Sequence, residues 1–257
     1  MSGKIAFTVF TKPWKMPLAE LAGHVHDLGF DGVELPVRPG FQVEPGDVAR
    51  ALPEAAKILA DGGVRIASVA APTDEPTIAA CAAAGVPLIR ICAEMDHSAG
   101  YLAAEAELQR QFDGLVGPLA THGVTVGVQN HCGRGLTSAM ALRHLVEKYD
   151  PAHVAAVLDF GHSGLAGEAP DVAIDTLWSH LALVNFKSAL WHRGRDGRWT
   201  TRWVAGPDGM ADWPAAVEAL KRRNYAGDVC LTAEYSDADR VDRLVAADLA
   251  YIKPLFA

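Results

Sequence analysis

The sequence predicts an α/β protein, a single-domain (β/α)8 TIM barrel over residues 1–257. Three observations lead there. Short β-branched runs alternate with longer amphipathic stretches through eight rounds, the pattern of βαβ units around a parallel sheet. Eight such units in 257 residues match the size of that barrel. No linker, low-complexity segment or break in composition divides the chain. A doubly wound sheet normally carries a glycine-rich phosphate turn after an early strand. Here the first strand runs into FTKPWKMP instead.

In chain order, the strands are expected at IAFTVF (from Ile5), GVEL (from Gly32), RIASVAA (from Arg65) and LIRICAE (from Leu88). They continue with TVGVQN (from Thr125), VAAVLDF (from Val154), LALVNFKS (from Leu181) and DVCLTAEY (from Asp228). Helix-stopping glycines precede four of them: Gly29, Gly63, Gly85 and Gly123. Leu108, Phe112, Leu115, Val116 and Leu119 recur at helical spacing, as do Val241, Leu244, Val245 and Leu249. Asp212 is a natural N-cap, and Pro214 is tolerated in the turn that follows. The longest irregular piece, Ala189–Ala211, is expected to be a lid or binding loop.

Composition removes several function classes. Half the residues are hydrophobic and the net charge is −8. Nucleic-acid binding normally needs a basic face; Lys221–Arg223 reads as the polar end of a helix, and His192–Arg198 as a solvated loop or as a basic patch that meets an anionic group on a small substrate. No apolar run reaches the roughly 18 residues needed to span a bilayer, and the N-terminus lacks a secretory h-region. A cytoplasmic protein is expected, with a small molecule as partner, neither nucleic acid nor membrane, and self-association possible. Cys81, Cys92, Cys132 and Cys230 show no metal-ribbon spacing and are expected to be small buried hydrophobes.

In a barrel, chemistry sits at the carboxyl ends of the strands. Those ends carry Glu34 (strand two), Glu94 with His97 (four), Gln129 with His131 (five), and Asp159 with His162 (six). Strand seven ends at Asn185 and Lys187, and strand eight at Glu234. A period of two places Gly127 with Gln129, Val157 with Asp159, Leu183 with Asn185, and Cys230 with Thr232 and Glu234. If those faces line the barrel, oxygen-bearing side chains from four consecutive strands meet at one mouth. A buried carboxylate is costly unless it is paired or binds a cation.

The segment VAAVLDFGH resembles the sixth-strand motif of the xylose-isomerase-like barrel superfamily, which includes sugar-phosphate isomerases and epimerases. FDGVEL at Phe30–Leu35 resembles its second strand. DWPAAVEALKRRNYAGDVCLTAEY resembles its last helix and last strand. The resemblance implies one Mn²⁺, Mg²⁺ or Co²⁺ ion held by Glu, Asp, His and Glu on strands five to eight. Asp159 and Glu234 match that set. Gln129 stands where the first glutamate is usual, and Asn185 where the histidine is usual. The implied metal ligands are therefore Gln129, Asp159, Asn185 and Glu234, and the implied cofactor is one Mn²⁺ or Mg²⁺ ion, weakly held or lost. Amide oxygens ligate hard divalent ions, but more weakly than carboxylate.

The family's epimerases use two glutamates as a two-sided acid/base pair. Gln129 cannot accept a proton, which leaves His131 to serve that face. The expected reaction is proton abstraction next to the carbonyl of a small sugar or hydroxy-keto acid. Glu234 or His131 is the base. The metal, or Lys187 without it, steadies the enediolate oxygen. His162, Glu34, Glu94 and His97 are expected to hold the substrate, and Trp14, Phe41, Trp191 and Trp203 to stack on it or pack. A repair endonuclease on the same fold would need a zinc cluster and a basic groove, which this acidic chain lacks. The remaining alternative is a non-catalytic binding protein built on a degenerate site.

Overall fold

A computed structural model describes residues 5–133 and 135–257. Eight parallel strands close into a barrel: β1 (Ala6–Phe10), β2 (Gly32–Pro36), β3 (Arg65–Ala70), β4 (Leu88–Ile91), β5 (Thr125–Gln129), β6 (Val154–Asp159), β7 (Leu181–Phe186) and β10 (Asp228–Leu231). Each pairs with its sequence neighbour, and β10 closes onto β1 through Ala6–Asp228. Helices α1 (Leu18–Asp27), α2 (Val48–Asp61), α3 (Glu75–Ala83), α4 (Tyr101–His122) and α5 (Ala139–Val146) link the early strands. Helices α6 (Phe160–Ala166) and α7 (Pro170–Leu177) follow β6, α8 (Trp213–Arg222) precedes β10, and α9 (Val241–Phe256) ends the chain.

Local chemistry explains the punctuation. Gly29, Gly63, Gly85 and Gly123 all have φ between 64° and 87°, the left-handed region in which a helix ends without a side-chain clash. Asp212 caps α8 by accepting from the Ala215 amide at 3.0 Å, and Asp159 caps α6 by accepting from the His162 amide at 3.1 Å. None of the helices among the described residues is long and apolar enough to cross a membrane.

Two separate cores show which strand face points where. The large one lies between sheet and helices and takes Val126, Val128, Leu158, Val184, Phe186, Val229 and Leu231. The small one is Phe10, Ala70, Leu88, Val157, Leu183 and Cys230, on the opposite faces of six strands. It fills the inside of the barrel. Gly127 belongs to that inner face, because a Cβ there would lie 2.7 Å from Val157 Cγ2. Gln129, Asp159 and Asn185 continue the inner faces toward the carboxyl ends, with Asp159 and Asn185 side by side in register.

Three expectations need correction. Residues 189–211 are not an irregular loop. Strands β8 (Ser188–Arg193) and β9 (Trp199–Val204) form an antiparallel hairpin. Its turn is set by Asp196 and Gly197: Gly197 takes φ +79°, and the Asp196 carboxylate accepts from the Arg198 amide at 3.1 Å. Strand β10 stops at Leu231 rather than running to Tyr235, because Ala233 turns the chain with φ +51°. The cysteines divide: Cys81 and Cys230 are buried, but Cys92 is exposed and Cys132 half-buried at the end of the barrel that carries the polar residues.

Candidate active site

The polar mouth is organised around one lysine. Lys187 lies just past β7 and is almost wholly buried, with 6% of its side chain exposed. Its Nζ stands 3.4 Å from Asp159 Oδ2 and donates to Glu234 Oε2 at 3.1 Å. One ammonium therefore reaches both acids of the predicted set. Lys12, in the loop after β1, donates to the other Glu234 oxygen at 2.7 Å. The Trp203 ring of β9 lies 4.4 Å from Lys187 Nζ, a cation–π contact. Trp203 and Ser236 exchange two hydrogen bonds, which tie the hairpin to the segment carrying Glu234.

Gln129 and Asn130 are both buried and both serve Asp159. Gln129 Nε2 donates to Asp159 Oδ2 at 2.7 Å, and its oxygen faces Cys92 Sγ at 3.5 Å. An ionised carboxylate only accepts, so the amide must turn its NH₂ to Asp159. Asn130 brackets the backbone of the same residue. It accepts from the Asp159 amide at 2.7 Å and donates to the Asp159 carbonyl at 3.1 Å. The Asn185 amide is fully buried, and neither its nitrogen nor its oxygen has a hydrogen-bond partner.

Charges follow from this packing. Burial pushes the Asp159 carboxyl up, against the pull of Lys187 and the His162 amide. Burial would raise the Glu234 carboxyl too, but Lys187 and Lys12 outweigh it and hold Glu234 down at about 2. For Lys187, burial disfavours the charge, yet Asp159 and Glu234 together raise its pKa, and it stays protonated.

Two histidines complete the rim. His162 is buried, and its Nδ1 accepts from the Cys132 amide at 3.1 Å. The ring proton is thereby placed on Nε2, which is buried without a partner. Burial, with Lys187, His131 and Arg90 nearby, pushes the His162 pKa down and keeps the ring neutral. Exposed His131 packs on it, ring centroids 4.0 Å apart, and its Nδ1 lies 2.9 Å from the Cys132 carbonyl, which can only accept. His131, Cys132 and His162 place ligand-type atoms within 4.8 Å of one another. The lone pair of neutral His162 is already used by the Cys132 amide, so the trio is a poor metal site.

Other expected residues lie elsewhere. Glu34, expected to hold a substrate hydroxyl, is fully buried and saturated. Arg90 Nε donates to both of its oxygens at 3.1 and 3.2 Å, Arg90 Nη2 also donates to Oε1, and Ser68 donates to Oε2 at 3.1 Å. Glu94 is exposed and His97 stacks on Tyr101, both on the loop after β4. Of the four aromatics, only Trp203 meets the charged cluster. Trp14 is buried against Asp242, Phe41 carries Lys15, and Trp191 donates to the Leu165 carbonyl. Lys12 went unpredicted although the end of β1 opens on the same mouth as the others.

A divalent cation does not fit these residues as they stand. The point between Asp159 and Glu234 is taken by the Lys187 ammonium, and Gln129 presents hydrogen rather than oxygen to Asp159. Of the four expected ligands, Asn185 is the one that offers a buried oxygen without a partner.

A family model described as xylose isomerase-like TIM barrel matches residues 23–255. A search of curated protein sequences gives no match. Among solved structures, the chain is similar to D-psicose 3-epimerase in the presence of D-fructose, with 15% identity, TM-score 0.74, and 98% of this chain and 99% of that one covered. It is similar to a 3-keto-D-glucoside 4-epimerase from E. coli at 16% identity and TM-score 0.75, covering 98% of this chain and all of that one (100%). It is also similar to a probable 3-DHS dehydratase from Bacillus anthracis, at 14% identity and TM-score 0.75, covering 96% and 98%.

Proposed function

This chain belongs to the xylose isomerase-like TIM barrel family, and on that premise we propose that it is a sugar isomerase or epimerase, or a related lyase. Its substrate would be a small sugar or hydroxy-keto acid, and its chemistry proton transfer at the carbon next to a carbonyl. The observation that carries this reading is the pairing of a base with a cation. Glu234, about a quarter exposed at the mouth, lies 3.1 Å from the buried ammonium of Lys187. Structural neighbours named as epimerases and as a dehydratase support the same reaction class.

In this reading the substrate carbonyl oxygen enters against Lys187 Nζ, and the unpartnered Nε2–H of His162 donates to a second oxygen. A carboxylate held at about 2 is a weak base. Once the substrate oxygen engages Lys187, Glu234 loses one of its two lysines and regains basicity. Glu234 then takes the proton, and the C–H electrons form the carbon–carbon double bond of the enediolate. In an isomerisation the proton returns to the neighbouring carbon, and the hydroxyl proton of the enediolate passes to the former carbonyl oxygen. In an epimerisation another group protonates the opposite face, and His131 is the candidate. The metal implied by the resemblance has no step here, because the donor set does not suit it.

The test is solvent exchange. The protein is incubated in D₂O with a panel of ketoses and hydroxy-keto acids, and loss of substrate C–H signal is followed by NMR. Exchange at the carbon next to a carbonyl is expected for at least one compound. Saturable binding without exchange across the panel would instead support a non-catalytic binding protein. The internal pairing of both Glu234 oxygens gives that second reading its footing.

A further inference from the structure

We infer that Lys187 takes the place of the divalent ion: its ammonium, wedged between Asp159 and Glu234 under the Trp203 ring, is the site's resident positive charge and excludes a metal. Four observations meet here. The first is position. Nζ is 3.4 Å from one acid and 3.1 Å from the other, so an ion bridging the two would have to evict a side chain that is 6% exposed.

The second is charge. Asp159 and Glu234 carry two negative charges, and Lys187 and Lys12 neutralise both. The two other positions of the ligand set, Gln129 and Asn185, are neutral amides. A doubly charged ion would enter a buried site that is already balanced, and its desolvation would go uncompensated.

The third is a built seat. A Cβ on Gly161 would lie 2.6 Å from Lys187 Cγ and 3.0 Å from the Lys187 carbonyl oxygen, so that glycine is what lets the lysine stem lie flat against the start of α6. Trp203 covers the ammonium, and buried Trp213 Nε1 donates to the Lys187 carbonyl at 3.2 Å. The fourth is the orientation of Gln129, whose NH₂ makes it a positioning residue for Asp159 rather than a metal ligand.

The functional half of the inference rests on the isomerase reading above. With no metal, Lys187 Nζ is the group that receives the negative charge left on the substrate oxygen when the proton departs. The exclusion of metal is independent of that reading and is measured without substrate.

The experiment titrates EDTA-treated protein with Mn²⁺, following free ion by EPR and melting temperature in parallel. The wild type is expected to show no saturable binding and no stabilisation up to about 1 mM ion. The triple variant Gln129→Glu, Asn185→His, Lys187→Met restores acid and imidazole ligands and removes the ammonium. It is expected to bind one Mn²⁺ at least about 100-fold more tightly, with a rise in melting temperature. One Mn²⁺ bound by the wild type with Kd below about 100 µM would overturn the inference. So would a folded triple variant, verified by circular dichroism, that binds no better than wild type. The wild-type titration decides the question even if the variant does not fold. D₂O exchange that survives EDTA in the wild type and is lost in Lys187→Met supports the functional half. Exchange that requires added metal overturns it. If no compound exchanges, the isomerase reading fails while the metal titration still stands.

Discussion

The barrel holds two buried acid–base clusters on opposite arcs of its wall, and they are built differently. On the β2–β4 side, Glu34 is fully buried and meets Arg90 through several hydrogen bonds, with Ser68 taking the remaining capacity and Phe10 packed 4.8 Å under the guanidinium. On the β6–β10 side, Lys187 is shared between two acids, Glu234 is partly exposed, and the polar atoms of Asn185 and Nε2 of His162 have no partner. The first cluster is closed: every charge has a geometrically matched partner, and nothing is left for a ligand. The second is open, with donors that a substrate oxygen could satisfy. Burial alone does not separate scaffold from chemistry, since both clusters contain acids with no exposure. Unsatisfied hydrogen-bonding capacity does.

The contrast is broken most sharply by amide replacement at the open cluster. Glu234→Gln keeps the shape and removes the proton acceptor. Exchange of substrate hydrogen should fall by about 10²- to 10⁴-fold, the span of general-base catalysis, with a loss of about 1–2 kcal/mol in stability at neutral pH. Lys187 still has Asp159 and Lys12 is half-exposed, so the fold survives the loss of this carboxylate. Unchanged exchange in that variant would remove Glu234 from the reaction. The closed cluster should answer in stability instead. Arg90→Met strands a buried carboxylate and should cost about 3–5 kcal/mol in urea unfolding. Glu34→Leu combined with Arg90→Met should recover most of that loss, because neither charge is then left alone. A failure to recover would mean that the pair contributes more than mutual neutralisation.

How much of this was legible beforehand differs along the same lines. The alternation of strands and helices, the four helix-ending glycines and the inward faces of β5 to β7 are local or periodic signals, and they led to the barrel and to Asp159, Asn185 and Lys187 at one mouth. Whether an end-of-strand acid is open or closed depends on partners far away in sequence. Glu34 reads from sequence as a substrate contact because its partner, Arg90, lies 56 residues on. Yet an arginine inside LIRIC is a charge in a buried run and must find an acid. The hairpin at 188–204 also left a trace. Asp196–Gly197 between β-branched and aromatic runs is a strong short-range turn signal, although the length of the segment points the other way, to an irregular loop. The left-handed turn at Ala233 left none, since alanine rarely adopts it. That turn also breaks the two-residue alternation from which the facing of Glu234 was inferred, although the residue still reaches Lys187.

The smallest effect sharpens the comparison through pH. The Glu234 carboxyl is depressed from 4.5 to about 2, despite burial, by Lys187 and Lys12. A depressed acid contributes stability that is fully present above its unfolded value of 4.5 and is lost as pH falls through the folded value near 2. The shift corresponds to roughly 3 kcal/mol at 1.36 kcal/mol per unit, and partial exposure of the carboxylate reduces that to about 1–2 kcal/mol. Wild-type protein should therefore lose about that much more unfolding free energy between pH 5 and pH 2 than Glu234→Gln, measured by urea melts at each pH. The extra loss should shrink in high salt, because Lys12 is half-exposed and its share of the attraction is screened, whereas the share from buried Lys187 is not. Equal acid sensitivity of the two proteins would mean that Glu234 is not held by these lysines. The open cluster would then lack the charge balance on which its difference from the Glu34–Arg90 pair rests.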